Sequence, residues 1–187
     1  MYRNCQIGFS YSLPPSWQRV TIGNTPPVSE QNPQQPNSKK GVAQTAACAK
    51  TVFSARHGNP ASAISIVVLP FSCYGQPMTP KNLPDFAAGV SQGLRQNLNI
   101  FEPVYGNYTL GSHAFWIERA VGIPRDHPEV RYTIEIACSI LKSSAVCWMT
   151  AASGAGGLRA FENSSVSLDG EPSIALVPEN AFGKDPF

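Results

Sequence analysis

From residue 113 to residue 151 the chain alternates apolar and polar side chains almost without a break. His113, Phe115, Ile117, Val121 and Ile123 fall on one side of a first segment, and Tyr132, Ile134, Ile136, Cys138 and Ile140 on one side of a second. Residues 145–151 follow with Cys147 and Met149. A period of two rich in β-branched and aromatic residues specifies strands, not helices. Two short connections, at 124–129 and at Lys142 with Ser143, make these segments a three-stranded antiparallel meander. Whatever else this chain builds must pack on that sheet.

The strands also predict their own registers. Placing the apolar sets on one face puts Val121 opposite Tyr132, Ile117 opposite Ile136 and Phe115 opposite Cys138. The same register sets Glu118 opposite Glu135 and aligns Trp116, Ala137 and Trp148 on the reverse face. A small alanine between two indoles implies a second packed layer, so the sheet is expected to be covered on both sides. A tight turn at Lys142 and Ser143 brings Cys138 opposite Cys147.

The rest of the chain adds elements around the meander. Cys5, Ile7, Phe9, Tyr11 and Leu13 alternate as a first strand that stops at Pro14-Pro15, with Trp17 as an apolar anchor beyond it. Val20 and Ile22 suggest a short second strand. Residues 23–46, rich in Pro, Gln and Asn, have almost nothing to bury and are expected to form a mobile loop. Segments 49–56 and 63–69 make a hairpin about Gly58-Asn59-Pro60. Thr79-Pro80 caps a helix whose stripe is Leu83, Phe86, Val90, Leu94 and Leu98, with Gly89 and Gly93 near the stripe as points of close approach to the sheet. A strand over 101–109 leads into the meander. After the glycine-rich run 153–157, Leu158, Phe161 and Ser165 or Val166 suggest a second helix ending near Asp169-Gly170, and the apolar run 174–177 is expected to lie on the sheet.

At 187 residues one domain is the default, and it can bury a core without help from a metal or a disulfide. A net charge of +2 with 14% charged residues disfavours nucleic-acid binding through a cationic patch. No apolar stretch reaches the roughly 20 residues of a membrane-spanning helix. Low charge, 17 prolines and five cysteines suit a periplasmic or secreted protein whose signal peptide lies outside this sequence, the alternative being a cytoplasmic one.

The order of these parts, opening on Phe9-Ser10-Tyr11-Ser12-Leu13-Pro14 and Trp17, resembles the family of photosystem II extrinsic PsbP proteins and bacterial DcrB-like proteins. The resemblance implies an α+β fold, an antiparallel sheet flanked by helices as an α/β/α sandwich. It also implies export, and binding or assembly roles rather than catalysis.

Several residues invite a chemical reading. Glu118 and Glu135, if opposed, form the paired carboxylates a small hydrolase would need. Neutralisation by Arg119 or Arg131 is the structural alternative. Trp116 and Trp148 would make an aromatic binding patch. Asp126, His127 and Glu129 share one loop and have metal-ligand chemistry, but three groups on one loop, with His127 followed by Pro128, suit a solvated turn better than a metal site. Cys138 with Cys147, and Cys48 with Cys73, are disulfide candidates, which would leave Cys5 odd. The glycine-rich run lacks the lysine of a phosphate loop and the spacing of a dinucleotide fingerprint, so no cofactor is expected. The partner expected is a protein or small molecule, with membrane association only through such a partner.

Overall fold

Two antiparallel sheets share one core. The computed structural model describes residues 1–20, 49–58, 61–73 and 77–182. The 23–46 segment lies outside them. The elements in chain order are β1 (Tyr2–Asn4), β2 (Phe9–Ser12), β3 (Gln18–Arg19), β4 (Lys50–His57), β5 (Ser62–Pro70), α1 (Leu83–Leu94), β6 (Leu98–Leu110), β7 (His113–Pro124), β8 (Tyr132–Leu141), β9 (Ser144–Ala152), α2 (Ala155–Glu162), β10 (Ser165–Leu168) and β11 (Ile174–Ala175). Seven strands form the large sheet in the order β3-β4-β5-β9-β8-β7-β6, and four form the small one in the order β1-β2-β10-β11. The result is the expected α+β architecture, an antiparallel sheet with a helix on each face. The small sheet shares a layer with α2.

The meander is β7, β8 and β9, and both its faces are buried. On one face Phe115, Ile117, Ala137, Val146 and Trp148 join Phe9 and Tyr11 of the small sheet and Phe161 of α2. On the other face Ile134, Ile136, Cys138 and Cys147 join Leu83, Phe86 and Ala87 of α1. Along α1 the buried positions are Leu83, Phe86, Ala87 and Ser91, the one-sided stripe that amphipathic spacing encodes. A preceding 3-10 turn, Pro80–Asn82, starts the helix, and Asn82 Oδ1 accepts the Thr79 N–H at 2.9 Å. Phe86→Ala is expected to lower the unfolding free energy by about 3 kcal/mol. A urea midpoint unchanged by that substitution would place α1 on the surface.

Four sequence expectations are corrected. Residues 5–13 do not form one strand, because the chain reverses between β1 and β2. Asn4 Oδ1 accepts the Ile7 N–H at 3.1 Å, and Gly8 takes a φ of 89° that favours glycine. Gly89 and Gly93 of α1 face open space, so neither serves a close approach. The helix after the glycine run ends at Glu162, and Ser165–Leu168 is a strand pairing with β2. The alternation of Ser165, Val166, Ser167 and Leu168, with Val166 and Leu168 buried, has a period of two and not of 3.6.

The fourth correction is the register of β7 on β8, which lies one residue away from the expected one. Trp116 pairs with Cys138, Ile117 with Ala137, Glu118 with Ile136 and Arg119 with Glu135. A one-residue slip turns every side chain of a strand to the other face. Because both faces are covered, either register buries apolar side chains, and the pattern alone does not choose. The observed register sets the charges Arg119 and Glu135 face to face in place of two carboxylates.

Candidate functional site

Two buried carboxylates sit in the large sheet, on opposite faces. Glu135 is fully buried, and its Oε2 accepts a hydrogen bond from Arg119 Nε at 2.8 Å. The same guanidinium reaches Glu162 Oε1, at the end of α2, at 2.5 Å and lies 4.2 Å beneath the ring of Phe182. The chain over 176–182 closes this cluster from above. Tyr108 Oη donates to the Leu176 carbonyl at 2.8 Å, and the Val177 N–H donates to the Glu162 carbonyl at 3.2 Å. Gly106 is required beneath it, since a Cβ there would stand 2.2 Å from the Ala181 carbonyl oxygen.

Burial raises the Glu135 carboxyl to about 7, against a smaller opposing effect of Arg119. Burial also raises Glu118, whose Oε1 accepts the Ser91 hydroxyl of α1 at 3.2 Å. A carboxyl raised in the folded state holds its proton where the unfolded chain has lost it. The stability this brings is complete below the usual carboxylate range and is lost as pH rises through about 7 for Glu135. Urea midpoints are therefore expected to fall as pH rises toward neutrality. Glu135→Gln should flatten much of that slope, leaving the part due to Glu118. A midpoint that climbs over the same interval contradicts the assignment.

The structure separates the residues singled out in the sequence. Glu118 and Glu135 are not opposed and point to different layers, so they cannot act on one substrate as a carboxylate pair. Trp116 and Trp148 are separated in the same way. Trp148 is fully buried in the core between the sheets, while half-buried Trp116 stacks on exposed Tyr105 at 5.7 Å on the α1 side. Asp126, His127 and Glu129 lie on an exposed turn, where His127 Nδ1 stands 3.3 Å from Glu129 Oε1 and His127 Nε2 stands 4.0 Å from Asp126 Oδ2. Among the described residues no group of three His, Cys, Asp or Glu side chains is placed to hold a metal ion. Cys138 and Cys147 are opposed on β8 and β9, joined by a disulfide with Cα atoms 4.1 Å apart, beneath α1. Cys48 lies outside the described residues, and Cys5 is an exposed free thiol.

A concavity among the described residues lies elsewhere, at the end of the large sheet that carries the β4–β5 connection. It is an open cleft of about 770 Å³. Gln18, Arg56, Ala63 and Ala151 line it as one cross-strand row, each paired with the next across β3, β4, β5 and β9. Tyr132 stands beside this row, and His57 and Ser62 complete the sheet end. His57 is held by a ring contact with Trp17 at 5.8 Å. Ser62 is 5% exposed, and its Oγ finds no hydrogen-bond partner among the described residues. Nothing local in the sequence marked these residues, because the pairing of Gln18 with Arg56 joins segments far apart in the chain.

Fold and cleft together describe an α+β sandwich with an open cleft at one end of its large sheet. No family model matches the chain, and no curated protein matches it. Among solved structures it is similar to cyanobacterial PsbP (CyanoP) from Synechocystis sp., with 8% identity, 81% of this chain and 78% of that chain covered, and a TM-score of 0.47. It is also similar to LpqN, involved in cell envelope biogenesis of Mycobacterium tuberculosis, with 11% identity, 86% and 71% covered, and a TM-score of 0.43. No helix among the described residues is long and apolar enough to cross a membrane.

Proposed function

We propose that this chain is an exported, non-enzymatic binding or assembly protein, one α+β domain over residues 1–187, that engages a partner at the β4–β5 end of its large sheet. One observation carries the reading. The carboxylates with altered acidity are held in structural pairs inside the two layers, whereas the open cleft is lined by a guanidinium, neutral polar groups and small apolar residues. Such a surface has the means to hold a molecule, and the two carboxyl groups whose pKa burial raises do not face it. The buried disulfide supports an oxidising compartment, where such bonds persist.

Dialysis of the purified protein against a small-molecule extract of the source cells, with mass analysis of what is retained, tests the reading. A retained compound of unchanged mass is expected. A compound recovered chemically altered would overturn the non-enzymatic part, and nothing retained would overturn the binding part. Export is tested separately by alkylating protein denatured without reductant after isolation from its native source. The peptides carrying Cys138 and Cys147 should escape the label, and labelling of both removes this support for export.

A further inference from the structure

We infer that the cleft takes a small organic anion, its acidic group on Arg56 and Gln18 and its apolar body on Ala63, Ala151 and Tyr132. This rests on the binding reading above and adds the class of ligand. The row Gln18, Arg56, Ala63, Ala151 runs across four adjacent strands on one face of the sheet. Two methyl side chains at its centre leave a floor between the long side chains of Arg56 on one side and Tyr132 on the other. That is the shape for a flat apolar group.

Among the described residues the lining includes the Arg56 guanidinium and no Asp or Glu. Among the described residues Arg56 has no ion-pair partner, although Arg119 in the same sheet has two. A guanidinium with its fork of donors uncommitted, at the mouth of an apolar concavity, matches a carboxylate or phosphate oxygen pair. Gln18, its cross-strand neighbour, adds an amide donor. Ser62, next to Ala63 on β5, turns its hydroxyl to the other face of the sheet, beside Gly157, and is not part of this row. The glycine-rich turn before α2 is fixed beside it, since the Ser153 hydroxyl donates to the Ala61 carbonyl at 2.8 Å.

Benzoate and its neutral analogue benzyl alcohol are suitable probes, followed by amide chemical shifts in the intact chain. Benzoate is expected to give saturable shifts at Arg56, Ala63 and Ala151, with the dissociation constant rising tenfold or more for benzyl alcohol. Arg56→Gln should produce a similar loss for benzoate and leave benzyl alcohol unaffected. Equal binding of both probes would overturn the anionic class while the cleft stands as a binding site. Shifts confined to other surfaces with both probes would remove the cleft reading as well. Phosphatidylglycerol vesicles form a third arm. If they shift these residues in an Arg56-dependent manner and benzoate does not, the target is a membrane surface and the small-anion inference falls.

Discussion

Arg119→Ala is expected to lower the unfolding free energy by about 3 kcal/mol. That is the low end of the cost of stripping one partner from a buried ion pair, because the Arg119 side chain is 35% exposed and partly screened by solvent. The guanidinium satisfies Glu135 in the neighbouring strand and Glu162 at the end of α2, and it supports the ring of Phe182. Without it, Glu135 keeps a fully buried carboxylate whose second oxygen already has no hydrogen-bond partner among the described residues. The remaining option for Glu135 is to hold its proton more firmly, so the loss should be smaller in acid than at neutral pH. The double variant Arg119→Ala with Glu135→Gln separates the causes. If the loss comes from an orphaned charge, the second change should recover a good part of it. If the double variant is as unstable as the two single losses added, packing of Arg119 is responsible and the buried-charge explanation fails.

This cluster also shows where sequence reading reaches its limit. Arg119 was an exception in the expected register, a charge set opposite Ile134 in an otherwise apolar row. In the structure the register is shifted by one residue, and Arg119 stands opposite Glu135, its ion-pair partner. The alternation identified β7, β8 and β9 and the cover on both faces. It could not choose between two registers that each bury apolar side chains. The turn at Lys142 and Ser143 was more decisive, since a tight hairpin permits few registers, and Cys138 lies opposite Cys147 as the turn required. The helix stripe from Leu83 through Phe86 was legible for the same reason that helices generally are, as a local period. It overran at Leu98, which begins β6. The cleft was not legible. Its row of four residues comes from four strands, and each residue taken alone is an ordinary exposed or half-buried strand position.

The other large effect is expected at Trp148, where removal of the side chain should cost about 4–5 kcal/mol. The indole is fully buried at the centre of the large sheet, flanked by Ile66 on β5 and Ala137 on β8. Its ring meets Phe115 at 5.7 Å within that sheet and Phe9 of the small sheet at 5.4 Å, edge on. Trp148 is therefore one of the side chains through which the two sheets share a core. Trp148→Ala leaves a void that rigid strands on either side cannot close, which places the cost toward the upper end for an aromatic truncation. Trp148→Phe should cost far less. The indole N–H has no hydrogen-bond partner among the described residues, so phenylalanine gives up area but removes a buried unpaired donor. Denaturation followed by circular dichroism and by the fluorescence of Trp17 and Trp116 measures both variants. Coincident transitions at a lower midpoint are expected for Trp148→Ala, because sheets that share a core unfold together. Two separated transitions in the unsubstituted protein would mean that the small sheet is a cooperative unit of its own, and that Phe9 and Trp148 meet across a boundary between units.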